Sequence, residues 1–445
     1  MAVVLCLMST ALPASGQQWD TEELSSARQY IAAASVGDLA MFAGGYDPAL
    51  IATDTVDVYD VVSQQWSLAQ LSVARHSCAA ATVGDQVLFA GGVELNGPFT
   101  GQQSDVVDLY DHGSGTWSTM QLAQPRTVGA VATLGSRAFF AGGQTATGFS
   151  DVVEIYDETT GQWSSESLSM ARSSLTAVSA GSFVFFAGGS DGQPYGETAL
   201  VDVFDTASGI WKTAQLSEPR AFLAATAVGD LVLFAGGWSL AAGYSKTVDI
   251  LDLQTGRWKV SELSTARANI GAITVGDYAV FAGGNGLDSV DIFDSNTGGW
   301  CTAKLSVPRY EVSACNVQGQ AFFAGGMTTR VDIYQPFLGS PNLSVQNLIA
   351  GGQVTLVMQG ATPNGLVGFL YSLTGPGPSQ MFSNCGWMEV SLSQPVYILP
   401  DQADAAGTAV EQGYVVSGTS GWPIWLQGFD VTTCQLSNCL SEVIR

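Results

Sequence analysis

The sequence predicts an all-β fold, made of seven copies of one four-stranded unit followed by a second, unrelated β region. Three registered features predict it. Phe-Ala-Gly-Gly occurs seven times, beginning at Phe42, Phe89, Phe140, Phe186, Phe234, Phe281 and Phe323. An arginine stands sixteen residues before the first glycine of every copy: Arg28, Arg75, Arg126, Arg172, Arg220, Arg267 and Arg309. A tryptophan stands twenty-three residues before every Phe: Trp19, Trp66, Trp117, Trp163, Trp211, Trp258 and Trp300. Repetition at a fixed period decides architecture ahead of any local reading.

One unit shows how the strands follow. Arg28 opens a first strand of small residues that turns at Gly37-Asp38. A second strand, Leu39–Ala43, ends at Gly44-Gly45, a third contains Val56-Asp57-Val58-Tyr59, and a fourth contains Trp66. Short strands at regular spacing with glycine-rich turns predict an all-β array. Four strands in about 47 residues is the size of one propeller blade. The first strands are rich in small residues, as in Ala79-Ala80-Ala81 and Ala224-Ala225, which suits the crowded inner position where blades converge. The Trp strand is the widest and suits the outside. Gly161, Gly209, Gly256 and Gly298 each stand two residues before a Trp, where the hairpin needs a positive φ.

With Gly-Gly, then Tyr-Asp, then Trp seven residues after the Tyr, the unit resembles the kelch repeat. Phe204, Leu251 and Phe293 replace the Tyr in three units. The resemblance covers residues 19–335 and implies a seven-bladed kelch β-propeller. The seventh unit lacks its Trp, since Pro341 stands in that place, while Trp19 has no unit before it. The N-terminal strand around Trp19 is therefore expected to be the outer strand of the seventh blade, pairing with Val331–Tyr334 and closing the ring.

The chain of 445 residues is too long for one core and reads as three parts: residues 1–16, a propeller over 17–337 and a last domain over 341–445. Residues 1–16 read as a secretory leader, an apolar run followed by small residues suited to cleavage but with no Lys or Arg before it. The protein is accordingly expected to be secreted, at the cell surface or periplasmic. Residues 341–445 lack the repeat. Their predicted strands are Leu343–Leu348, Gln353–Gln359, Leu366–Leu373, Met388–Leu392, Val396–Leu399, Thr408–Val416, Ile424–Val431 and Leu440–Ile444, which suggests an immunoglobulin-like β-sandwich. This region also resembles a small β domain appended to secreted bacterial proteins, around the GATPNG run at Gly360 and the Trp425-Leu426-Gln427 run. Cys78 and Cys315 are placed on strands of the repeat, and Cys301 follows a repeat Trp; all three read as buried small hydrophobes. One disulfide among Cys385, Cys434 and Cys439 would fit an exported protein, with the pair left open.

Charge sets limits on partners. The net charge of −24 opposes binding to a phosphate backbone, so no nucleic-acid partner is expected. No apolar run is long enough to span a membrane. A monomer is expected, and no cofactor.

Candidate chemistry lies at three places. The arginines recur with third-strand acids: Asp57, Asp108, Glu154, Asp202, Asp249, Asp291 and Asp332. A long Arg and a short acid can meet across the middle strand, roughly 10 Å, if Gly-Gly leaves that strand bare. They read as structural ion pairs, Arg172 being set against Glu154; the alternative is an anion-binding arginine ring. Only two histidines exist: His76, after Arg75, at the channel mouth, and His112 in a solvated hairpin turn. A metal site, His-Glu-x-x-His, Cys-x-x-Cys, Gly-x-Ser-x-Gly and a phosphate loop are not apparent. A kelch propeller followed by an immunoglobulin-like domain also resembles the architecture of galactose oxidase. That family holds copper through two tyrosines and two histidines, one from its C-terminal domain; this chain has no histidine after His112, so the site does not carry over. The third place is the variable loops after Gly-Gly, with Tyr46, Phe99, Tyr195, Trp238 and Tyr244, together with Tyr310 and His76 beside the arginines. Exposed aromatics on scaffold loops bind partners, although such loops also pack on themselves. The sequence thus suggests a non-enzymatic binding module for a protein or carbohydrate. Alternatives are a carbohydrate-active enzyme using Tyr30, His76, Asn269, Tyr310 and Glu311, or a structural surface protein.

Overall fold

A computed structural model describes residues 17–95, 101–336, 342–359, 366–374, 376–383, 386–392, 394, 396–404, 408–430 and 435–445. The leader-like residues 1–16, Phe99, the GATPNG run, Cys385 and Cys434, and the side chain of Cys439, lie outside them. Every named element among the described residues is a β-strand. The chain divides into two compact units, one holding Asp20–Ser295 with Lys304–Ile333, the other holding Trp19, Asn296–Ala303 and Tyr334–Arg445.

The first repeat shows the construction. Strand β1 is Gln17–Arg28, β2 is Ala32–Val36, β3 is Leu39–Ala43, β4 is Thr55–Asp60 and β5 is Gln65–Gln70. Strands β2 to β5 form an antiparallel sheet in chain order. Five further sheets repeat that order, starting at Ala79–Val83, Ala130–Leu134, Thr176–Ala180, Ala224–Val228 and Gly271–Val275. One more sheet runs Ser313–Val317, Gln320–Ala324, Thr328–Pro336 and then β1, so its outer strand comes from the other end of the chain. Such repeated four-stranded antiparallel sheets are compatible with a β-propeller.

Burial follows from position in the sheet. The middle strands β3 and β4 are buried almost throughout, whereas β5 shows its residues to solvent on both sides of Trp66. All seven Phe of the Phe-Ala-Gly-Gly runs, and the Ala after each, are fully buried. Neighbouring sheets share cores. Phe89 of the second sheet packs with Met41, Val56 and Val58 of the first. Phe322 and Val331 of the last sheet pack with Phe42 and Tyr59 of the first. The short first strands also touch in series, β2 beside Ala79–Val83 and so on to Ser313–Val317, which returns to β2. Their small side chains permit that approach.

The tryptophans sit alike. Trp66, Trp117, Trp163 and Trp211 each face the aromatic residue opposite them in the third strand, with ring centroids 4.8–5.2 Å apart. Trp19 lies 5.0 Å from Tyr334, within the same range. Two details correct the sequence expectation. Arg28 ends β1 instead of opening β2, and the other arginines also precede their first strands, because their carbonyls serve the neighbouring sheet (below). Cys78 likewise stands just ahead of Ala79–Val83, while Cys315 is on its strand.

The second unit holds a three-stranded sheet, a four-stranded sheet and a hairpin. Leu343, Leu356, Met358 and Ala409 of the first share a core with Val367, Phe369, Leu426 and Leu440 of the second. The hairpin strand Pro376–Ser383 was not foreseen, because its Pro and Gly residues read as a turn.

Candidate functional site

The repeat arginines come first, because they fix everything around them. None is more than 1% exposed, and none of the seven partner acids more than 3%. Each arginine meets the acid of its own sheet: Arg75 with Asp108 at 2.7 Å, Arg126 with Glu154 at 3.4 Å, Arg172 with Asp202 at 2.8 Å and Arg267 with Asp291 at 2.6 Å. Arg28, Arg220 and Arg309 pair with Asp57, Asp249 and Asp332. Arg172 therefore belongs with Asp202 and not with Glu154, which serves Arg126. The guanidinium also donates to carbonyls of its own Phe-Ala-Gly-Gly run, Arg172 to Gly188 (2.8 Å) and Phe186 (3.1 Å). The second carboxylate oxygen of each aspartate accepts from the backbone three residues before the arginine, as Asp57 does from Ser25 (2.8 Å) and Asp108 from Ser72 (2.9 Å), while in Glu154 one oxygen serves both Arg126 and Ala123. Such charges are tolerated in the interior only because partners surround them. Burial still pulls the guanidiniums of Arg28, Arg126, Arg172, Arg220 and Arg309 below their usual basicity, against the pull of the acids.

Gly-Gly has a second duty that sequence reasoning missed. The second glycine donates its amide to the carbonyl of the next unit's arginine, Gly45 to Arg75 (3.0 Å) and Gly92 to Arg126 (3.0 Å). A Cβ on Gly44 would stand 2.4 Å from the Arg75 carbonyl oxygen, and both glycines have positive φ, so no side chain fits. The series closes when Met327 donates to the carbonyl of Arg28 (3.1 Å). The signal was in the sequence, as the constant sixteen-residue spacing, but the spacing does not say which unit's arginine is met.

Two residues after each arginine, uniformity ends. That station reads Tyr30, Ser77, Val128, Ser174, Phe222, Asn269 and Glu311. Five of these, all but Val128 and Glu311, sit at φ between 54° and 56°. This left-handed backbone is uncommon for residues with a Cβ and gathers at functional sites. Backbone bonds link successive members: Ser77 donates to Tyr30 (3.0 Å), Phe222 to Ser174 (2.9 Å) and Asn269 to Phe222 (3.0 Å). A cavity of about 460 Å³ opens among them, lined by Tyr30, Ser77, Phe222, Asn269, Glu311 and Ser313, with aliphatic side chains between.

Glu311 is the chemical centre of this cavity. The polar side chains of Tyr30 and Gln29 favour its charged form, yet burial pushes it up to about 7. Burial and that same acid raise Tyr30 well above an ordinary phenol, and raise Tyr46 as well. Tyr46 and His76 stand against Tyr30, with ring centroids 5.4 and 5.9 Å away and 5.4 Å from each other. Burial lowers the basicity of His76.

The other loop residues are placed differently. Tyr46 and Trp238 occupy equivalent positions, each bridged to the residue after an arginine, Gln29 and Ala221. Trp238 pairs with Tyr244 in a short hairpin. Tyr195 and Tyr244 are exposed, and so is Tyr310, whose ring lies over Gly286. The structure thus packs Tyr46 and His76 against Tyr30 of the cavity wall, and none of Tyr46, His76, Tyr195, Trp238, Tyr244 and Tyr310 belongs to the lining itself. His112, expected in solvent, is half-buried with its ring against Gly37, where an added Cβ would meet it at 2.3 Å. Among the described residues, no cluster of three His, Cys, Asp or Glu side chains is placed to hold a metal ion.

No protein-family model matches the chain, and no curated protein matches it. Among solved structures, one titled "Structure of YjhT" is similar over 68% of this chain and 99% of its own, with TM-score 0.49 and 15% identity. A likeness at that level identifies neither family nor activity.

Proposed function

We propose that the chain is an exported, kelch-type propeller of seven blades, closed by β1 and followed by an immunoglobulin-like sandwich, and that it is a binding module for a carbohydrate. The observation that carries this reading is the cavity two residues after the arginines. Everything that is uniform in the repeat is spent on the scaffold, and the strained, dissimilar residues converge on one concave site. Its volume suits a small ligand better than a protein surface does. The Tyr30 and Phe222 rings offer apolar faces, and Ser77, Asn269, Ser313 and Glu311 offer hydrogen bonds, the mixture that a sugar ring needs. The cycle of Gly-Gly to arginine bonds supports closure, and residues 1–16 support export.

A glycan array read with the purified chain tests the reading. Binding is expected, and Phe222→Ala should weaken it at least about fivefold, an aromatic contact being worth about 1 kcal/mol or more. Altering the opposite turn at Gly84-Asp85 should leave it unchanged. Glycan binding that survives Phe222→Ala but fails on the Gly84-Asp85 change would place the site elsewhere, and binding to a peptide array alone would make it a protein module. The weak acidity of Glu311 also favours a second reading, an enzyme in which it relays a proton near neutral pH. Turnover of an array-selected glycan, abolished by Glu311→Gln, would decide for the enzyme.

A further inference from the structure

We infer that the cavity takes an amino sugar, a hydroxylated ring whose free ammonium group sits against the carboxylate of Glu311. This deepens the carbohydrate reading above and rests on it. The argument is one of charge. Among the described residues, Glu311 is the only formally charged side chain in the cavity lining. Among those same residues, no lysine, arginine or histidine forms an ion pair with it. The seven repeat arginines are buried and committed to acids of their own sheets. Lys246 and Lys304 pair with Glu262 and Asp288, and Arg330 with Glu23. His76, two rings away, is held towards its neutral form by burial.

The side chains that act on the carboxyl, Tyr30 and Gln29, are neutral. A carboxylate offers about four acceptor positions, so it has room for the N–H groups of an ammonium. Tyr30 adds the face or edge of a ring beside the charge, where a cation gains further. A sugar acid at the same place would meet Glu311 with like charge, inside a chain of net charge −24. A neutral sugar would leave a desolvated carboxyl without compensation, and burial has already pushed that group up to about 7. An ammonium restores the charge balance by holding the carboxylate ionised, in a charge-assisted hydrogen bond. The groups around it fit the rest of a sugar: Asn269, Ser77 and Ser313 for hydroxyls, Phe222 for the ring's apolar face.

Three disaccharides with one backbone separate the possibilities: chitobiose with free amines, N,N′-diacetylchitobiose with the amines blocked, and cellobiose with hydroxyls. Calorimetric titration of the full chain at pH 7 should find chitobiose bound at least about tenfold more tightly than the other two, since a hydrogen bond to a charged group is worth about 1.5 kcal/mol or more. Glu311→Gln should collapse that ratio towards one. Asn269→Asp, which adds a second carboxylate to the same cavity at a φ that Asp tolerates, should widen it about threefold or more. Equal affinity for the three sugars, or a preference that outlives Glu311→Gln, overturns the amino-sugar inference and leaves the carbohydrate reading standing. The same holds if the three fail to bind while other glycans on the array do. A blank array together with blank titrations removes both.

Discussion

The arginine station and the station two residues later occupy the same place in every unit, yet they behave as opposites. At the first, seven identical side chains are buried, and each is paired with the acid of its own sheet and bonded to at least one carbonyl of its own Phe-Ala-Gly-Gly run. At the second, the residues are Tyr, Ser, Val, Ser, Phe, Asn and Glu, and several face a cavity. The difference teaches what holds the repeat in register. A buried charge tolerates almost no variation, because loss of either partner strands the other. A position facing a cavity is free to vary, and variation there can create a site.

The comparison breaks most visibly at the arginine. Arg172→Met strands Asp202 in the interior and should lose about 3–5 kcal/mol, measured by denaturant unfolding. Adding Asp202→Asn should return a substantial part of it. Additive losses in that cycle would mean that the two residues act independently.

Trp19→Ala should cost roughly 2–4 kcal/mol, somewhat below a fully buried Trp because the ring is half-buried. If the cost falls far below that of Trp66→Ala in the same assay, β1 contributes less to the last sheet than β5 does to the first.

Glu311 should give an effect that depends on pH. Its folded carboxyl titrates at about 7 against 4.5 unfolded, so the native state holds the proton more tightly. The stability it contributes is complete below pH 4.5 and is lost as pH rises through 7. Glu311→Gln should therefore gain on the wild type between pH 4.5 and 8, by roughly 1–3 kcal/mol at the upper end. Tyr30 and Tyr46 stay protonated across that window, and His76 is pushed towards neutrality. A difference in unfolding free energy that does not change with pH would mean that Glu311 titrates as an ordinary carboxyl.

The smallest effects test the freedom of the second station. Ser174→Gly should change stability by no more than about 1 kcal/mol, relief of the positive φ offsetting the added chain entropy. Gln64 is an exception within the uniform part of the repeat. It has φ 56° two residues before Trp66, where Gly161 and Gly209 stand in other units. Gln64→Gly should therefore stabilise by about 0.5 kcal/mol, read as a small rise in melting temperature.

Much of the repeat was legible because its constraints are short-ranged and recur. A strand of small residues, a Gly-Gly with positive φ and a Trp opposite a Tyr each leave a mark within one period. The cavity was legible only in outline. His76, Tyr30 and Glu311 could be named as neighbours of arginines, but Tyr195, Trp238 and Tyr244 stood out equally, since an aromatic on a loop looks the same whether it turns inward or away. The strand Pro376–Ser383 escaped because its composition is that of a turn and its partner strand supplies the order.

By itself, then, the sequence determined the periodic scaffold: all-β, four strands to a unit, an arginine and an acid in each. Only the tertiary structure decided which units meet. Tyr30 and Glu311 come from opposite ends of the repeat array, and they line one cavity because the last sheet returns to the first. Periodicity fixes what each unit is. The contact between distant units depends on how their small rotations add around the series, and no single unit's residues record that sum.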